Sequence, residues 1–266
     1  MVLADLVDVG GRGPIDLGPV REVAAGADVL VAVLTDEELH WLGDPDQPPR
    51  AFLDAPRLAS LAPGDQQVAL ETALWIMTAR GEFAWREGPS QAYGVHAIVG
   101  NLRRAALSAA IVRTDRRGQG TRLSARYEAG PDLLLVEDVE DTGLHRFVFR
   151  SIARDAGALA AALDPHRRAT SAAAPQTART VADLSPSPDD LARTCEASSL
   201  LYHAHLTGPE QVAARALTVY SDAQGVWALA GRHPADGQHG QVAWQQLDRP
   251  ALRALLDAFL HRDLGA

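Results

Sequence analysis

From about residue 108 onward the alternation of apolar and polar positions reads as one unit written twice: several short strands, then a closing helix. The first copy runs through residues 123–127, 133–136 and 147–149 into a helix at 154–163. The second runs through 217–220, 226–229 and 242–244 into a helix at 250–260. Leu123, Ala125 and Tyr127 alternate with Arg122, Ser124, Arg126 and Glu128, the period-two pattern of a sheet with one wet face. Ile152-Ala153-Arg154 and Leu247-Asp248-Arg249 hold corresponding places before the two Leu/Ala-rich helices. In the second of these helices Leu252, Leu255, Leu256, Phe259 and Leu260 form one apolar stripe behind Pro250.

Upstream, the near-continuous apolar run at 28–34 predicts a strand buried on both faces. Thr35 followed by Glu38 is a capping box that opens a short helix, stopped by Pro45, Pro48 and Pro49. A helix is predicted over 65–80, with Leu70, Ala73, Leu74 and Met77 on one face and Gly81 as its C′ residue. Another is predicted over 95–107, where Val95, Ile98, Val99, Leu102 and Ala106 are in register. Residues 116–120 read as a hairpin loop, Asp141-Thr142-Gly143 as a tight turn, and 222–225 as a turn. Pro165, Pro175, Pro186 and Pro188 among Ala, Ser and Thr mark a linker or crossover.

Sequential strands joined by short turns favour antiparallel pairing. The expected fold is α+β, with two pseudo-symmetric halves, each an antiparallel sheet packed with helices. The expected division is an N-terminal half at 1–165, a linker or crossover at 166–190, and a C-terminal half at 191–266.

Composition narrows the function. At 266 residues the chain can bury a substantial core. Its longest apolar runs fall far short of the ~20 residues of a membrane span. The first eight residues carry two acids where a secretory signal carries basic residues, which points to the cytoplasm. There is no lysine, so no Walker-type Lys exists to hold a nucleotide phosphate. A net charge of −9 disfavours nucleic-acid binding, and the two upstream helices lack a basic recognition helix. Cys195 is the only cysteine, which excludes an intrachain disulfide and a Cys-based zinc cluster, and it reads as a small buried hydrophobe.

The chemistry-bearing residues do not assemble into a known catalytic motif. His203 and His205 lie two apart on a strand and share a face, but spacing supplies no further ligand for a metal. His233 and His239 bracket a Gly/Asp-bearing loop at 233–240. Glu137, Asp138, Glu140 and Asp141 form an acidic run at a hairpin end, which suits a solvated turn or an electrostatic docking patch. Gly10-Gly11-Arg12-Gly13 lacks the strand-then-helix context of a dinucleotide fingerprint, and no serine sits in a Gly-x-Ser-x-Gly elbow. No catalytic, cofactor-binding or metal site is expected.

The order of elements resembles the EspG-like family of type VII secretion-associated chaperones. The residues that carry the likeness are Leu34 to Leu39 opening a helix and the stretch 69–81 ending in Thr78-Ala79-Arg80-Gly81. The helix at 95–107 running into Ala109-Ala110-Ile111-Val112-Arg113 and the two closing helices complete it. The likeness covers roughly residues 30–262 and consists of soft hydrophobic patterns. It implies a cytosolic, pseudo-twofold α+β chaperone that recognises secreted helical substrates. The expectation is therefore a non-enzymatic binding protein with a helical protein partner. The alternatives are a small-molecule enzyme using His203 and His205, or an immunity or regulatory protein that blocks a partner. Binding is expected on Arg116, Arg117, Glu137, Asp138, Glu140 and Asp141 in the first half, and on His233 and His239 in the second.

Overall fold

The computed structural model describes residues 1–7, 15–42, 56–84, 91–104, 107–115, 120–140, 142–174, 176–178, 188–206, 212–233 and 242–260. In chain order, α1 (Gly18–Ala24) leads to β1 (Val29–Thr35), α2 (Asp36–Leu42), α3 (Pro56–Ser60) and α4 (Pro63–Ala79). A small hairpin, β2 (Phe83–Ala84) with β3 (Gln91–Ala92), precedes α5 (Gly94–Arg104). Then come β4 (Leu107–Asp115), β5 (Gly120–Gly130), β6 (Leu133–Val139), β7 (Leu144–Ser151) and α6 (Ile152–Leu163). The chain continues with β8 (Gln176–Ala178), α7 (Pro188–Thr194), β9 (Ala197–Leu206), β10 (Val212–Ser221), β11 (Val226–His233), β12 (Val242–Leu247) and α8 (Arg249–Leu260). The fold is α+β, with antiparallel sheets packed with helices.

The chain forms two compact units, Met1–Ala106 with Leu123–Ser151, and Leu107–Arg122 with Ile152–Ala266. These bounds differ from the halves read from the sequence at 1–165 and 191–266. The closing helix α6 follows β7 of the first unit yet belongs to the second, where it packs on α8, β9 and β10.

In the first unit the strand order is β1-β7-β6-β5, antiparallel throughout. Leu133, Leu134, Leu135 and Val136 are all fully buried, so both faces of β6 are covered. Alternation and register put Tyr127, Leu135, Glu137, His145, Phe147 and Leu34 on one face. Local chemistry sets the helix ends. At α2 the Thr35 backbone N–H donates to Glu38 Oε2 at 2.9 Å and the Glu38 N–H to Thr35 Oγ1 at 3.2 Å, the capping box read from the sequence. At α4 the Glu82 N–H reaches the Met77 carbonyl at 2.9 Å and the Gly81 N–H the Thr78 carbonyl at 3.0 Å, with Gly81 at φ 71°. This is a Schellman motif, and its left-handed residue is why glycine stands there.

In the second unit the order is β4-β9-β10-β11-β12-β8, again antiparallel. Trp227 and Trp244 stack at 5.5 Å on one face, with Tyr220 edge-on to Trp244 at 6.1 Å and Leu191 of α7 packed against them. Leu201, Leu217, Val219, Val226 and Ala228 are buried on the other face. Cys195 is buried between α7 and β9 as a small apolar side chain.

The duplication holds in strand order. Strands β5-β6-β7 lead into α6, and β10-β11-β12 into α8, each set as an antiparallel meander. It also extends upstream, because β1 and β8 each pair antiparallel with the last strand of their copy. The stretch expected as linker therefore supplies an edge strand at 176–178 and the start of α7. The helix expected over 95–107 ends at Arg104, and Leu107 already opens β4. Among the described residues no helix is long and apolar enough to cross a membrane.

Candidate functional site

The polar residues of the first unit converge on His145, which lies on β7 with 1% exposure. Its Nδ1 is 2.6 Å from Glu137 Oε1 and its Nε2 is 2.7 Å from Asp36 Oδ1. Both partners are carboxylates and can only accept, so the doubly protonated imidazolium satisfies both contacts. Burial alone lowers the His145 pKa and the Arg103 charge works in the same direction. The hydrogen bonds to Asp36 and Glu137, with the Glu137 charge, outweigh them and raise it.

Glu137 Oε2 accepts from the Tyr127 hydroxyl at 2.6 Å and from Arg103 Nε at 3.1 Å. Burial raises its pKa, but the Arg103 guanidinium and the bonds from His145 and Tyr127 more than offset this and hold it below the usual range. Asp36 Oδ2 accepts the Arg57 and Leu58 backbone N–H groups, both at 3.1 Å, and so caps α3 from a distance. The Asp36 N–H in turn donates to the Gly143 carbonyl at 3.0 Å. Two carboxylates thus face one imidazolium and one guanidinium, and the charges balance. The network ties the starts of α2 and α3 to α5, β5, β6 and β7. Glu137, Asp36 and His145 are 0–1% exposed, and their polar atoms meet one another.

This overturns one expectation from the sequence. Glu137 is fully buried and does not belong to an exposed acidic patch. It follows Leu133 and Leu135 on the inward face of β6, and Arg103 of α5 meets it there. Its neighbour Asp138 points the other way and is half-buried, and Glu140 is exposed in the turn. That turn closes as expected, with the Gly143 N–H on the Glu140 carbonyl at 3.0 Å and Gly143 at φ 77°.

Arg116, Arg117, Asp141 and His239 lie outside the described residues. His233 is the last residue of β11, where it pairs with Ala214. His203 and His205 lie on β9, paired with Arg215 and Ala213. Among the described residues no three or more His, Cys, Asp or Glu side chains converge to hold a metal ion.

A second buried histidine, His96 of α5, has its Nε2 3.8 Å from Glu82 Oε2. Its pKa is lowered by burial, against the raising effect of Glu82 and Glu38. Arg80 stands 4.0 Å from both carboxylates.

The surface carries a feature that the sequence reading missed. α4 is apolar on two opposite sides: Ala73 and Met77 face inward, while Val68, Trp75 and Ile76 are 64%, 73% and 42% exposed. Thr72 lies between them on the outward side, its hydroxyl turned back onto the Val68 carbonyl at 2.7 Å. The signal was present in the sequence, since residues 68, 72, 75 and 76 have helical spacing of their own, out of phase with 73 and 77. The chain matches no known protein-family model, and a search of curated proteins finds none that matches it.

Proposed function

We propose that this is a non-enzymatic binding protein that docks a helical segment of a protein partner, and that its role is that of a cytoplasmic chaperone or specificity factor for type VII secretion. The observation that carries the reading is the outward face of α4, where Val68, Trp75 and Ile76 stand in water on a helix anchored by its inward side to α2. An exposed apolar stripe at helical spacing is what a partner helix packs against, and aromatic residues dominate the energetics of such contacts. The buried Asp36–His145–Glu137 network agrees with a non-catalytic role, because its acid, base and phenol are taken up by one another. The type VII assignment rests on the family resemblance of the element order.

The test is co-expression with helical secreted proteins encoded beside it, followed by gel filtration and a binding titration of any complex. A complex whose affinity falls at least about thirtyfold in Trp75→Glu supports the reading, as expected for an aromatic anchor. Absence of a complex with every such protein, or a complex indifferent to Trp75→Glu, refutes it.

A further inference from the structure

The ends of the exposed α4 face carry opposite charges. Asp65 lies on the outward side in the first turn, and Arg80 follows the last turn with its side chain 60% exposed. Between them run Val68, Thr72, Trp75 and Ile76. Such a face is complementary to itself when two copies lie antiparallel. A twofold axis through Thr72 sets Val68 of one copy against Ile76 of the other, each four residues from the axis. The same axis brings Asp65, seven residues on one side, beside Arg80, eight residues on the other. At 1.5 Å of rise per residue the two charges on one helix are about 22 Å apart, so both unlike pairs form together with the apolar stripe enclosed. A parallel arrangement would instead set Asp65 on Asp65 and Arg80 on Arg80. Arg80 approaches Glu38 and Glu82 only at 4.0 Å, and a guanidinium with five donors retains capacity for a further carboxylate.

We infer that α4 packs antiparallel against α4 of a second copy of this chain, so that the free protein is a homodimer with its apolar stripes mutually covered. The inference rests on α4 being a docking face and adds the identity of its occupant. One helix face buries well under the ~1,200 Å² of a standard interface, so the dimer is a weak one, to be sought at roughly 1–100 µM chain. A client helix with a longer apolar stripe can therefore displace the second copy.

Sedimentation equilibrium of the full chain at low ionic strength, over concentrations bracketing that range, tests the inference. Wild type is expected to show a monomer–dimer equilibrium, weakened at least about thirtyfold by Trp75→Glu. Asp65→Arg and Arg80→Asp each set like charges together at both ends, and each alone is expected to weaken the dimer about tenfold. An equimolar mixture of those two variants restores unlike pairs at both ends and is expected to recover association as a heterodimer. All three positions are solvent-facing, and unchanged far-UV circular dichroism verifies that each variant is folded. A wild type that stays monomeric, a dimer indifferent to Trp75→Glu, or a mixture no tighter than its components overturns the inference. A monomeric wild type that still binds a helical client through Trp75 overturns self-association alone and leaves the proposed function standing.

Discussion

Glu137→Gln separates the buried network from the surface charges around it. The carboxamide keeps the shape of the side chain, and its oxygen can still accept from Tyr127 and Arg103. Its NH₂ then faces His145 Nδ1, where the carboxylate oxygen lay at 2.6 Å. Two donors cannot share that contact, so His145 must give up its Nδ1 proton and become neutral, leaving Arg103 without a full counter-charge. Breaking a buried ion pair by removing one partner costs about 3–5 kcal/mol. Retention of two hydrogen bonds places this variant near the lower end, about 3 kcal/mol, or a melting temperature lower by about 6–12 °C.

The pH dependence carries a second signature. His145 is raised above its ordinary 6.5, so its contribution is complete below about pH 6.5 and is lost as pH climbs through the raised value. Glu137 is held below its ordinary 4.5, so its contribution is present above about pH 4.5 and is lost as pH falls through the depressed value. Wild-type stability should therefore be greatest between those limits and decline on both sides. In Glu137→Gln the acid decline from this group disappears, and because His145 is neutral there its alkaline decline disappears too, so that stability instead falls as pH drops below about 6.5, where the unfolded imidazole takes up a proton. Thermal unfolding followed by circular dichroism from pH 2 to 9 measures both effects. Glu140→Gln, at an exposed acid in the same run, is the control and should change stability by no more than about 0.5 kcal/mol. If Glu137→Gln melts with Glu140→Gln, the network does not hold the first unit together and the reasoning fails.

Gly143→Ala should destabilise by about 1–3 kcal/mol in urea unfolding, because φ is 77° there and a Cβ would sit 3.0 Å from Arg57 Cβ and Asp36 Oδ2; an unchanged midpoint would refute this. Trp244→Ala removes a fully buried ring from the second unit and should cost about 3–5 kcal/mol. It should also abolish any near-UV exciton signal of the Trp227–Trp244 stack, and a near-UV spectrum that merely scales with tryptophan count would show that the rings do not couple.

The polar network was only half legible. Leu133, Leu135 and Glu137 share one face of β6, but Leu134 and Val136 make the other face apolar too, so alternation within the strand did not place Glu137. Adjacency to Asp138 and Glu140 suggested a solvated run instead. The partners that neutralise Glu137 come from α5 and from β5 and β7, and Asp36 comes from a residue 109 positions before His145. No local pattern relates those positions. The outward face of α4 was missed for the opposite reason: one apolar stripe had already accounted for the helix, and which of its two stripes meets α2 depends on packing.

What the sequence determined by itself is what neighbouring residues decide among themselves. The Thr35/Glu38 capping box, the left-handed Gly81, the turn at Gly143, the two strand meanders and the closing helices all rest on contacts within a few residues, or on hydrophobic period. Tertiary structure alone decided that α6 joins the second unit, that residues 176–178 extend its sheet beside β12, that Glu137 lies among charges, and that Trp75 lies in water. Each of these is a matter of which surface a segment is buried against. That choice is set by the summed burial and charge balance of partners distant in the chain, and local preferences carry no record of it.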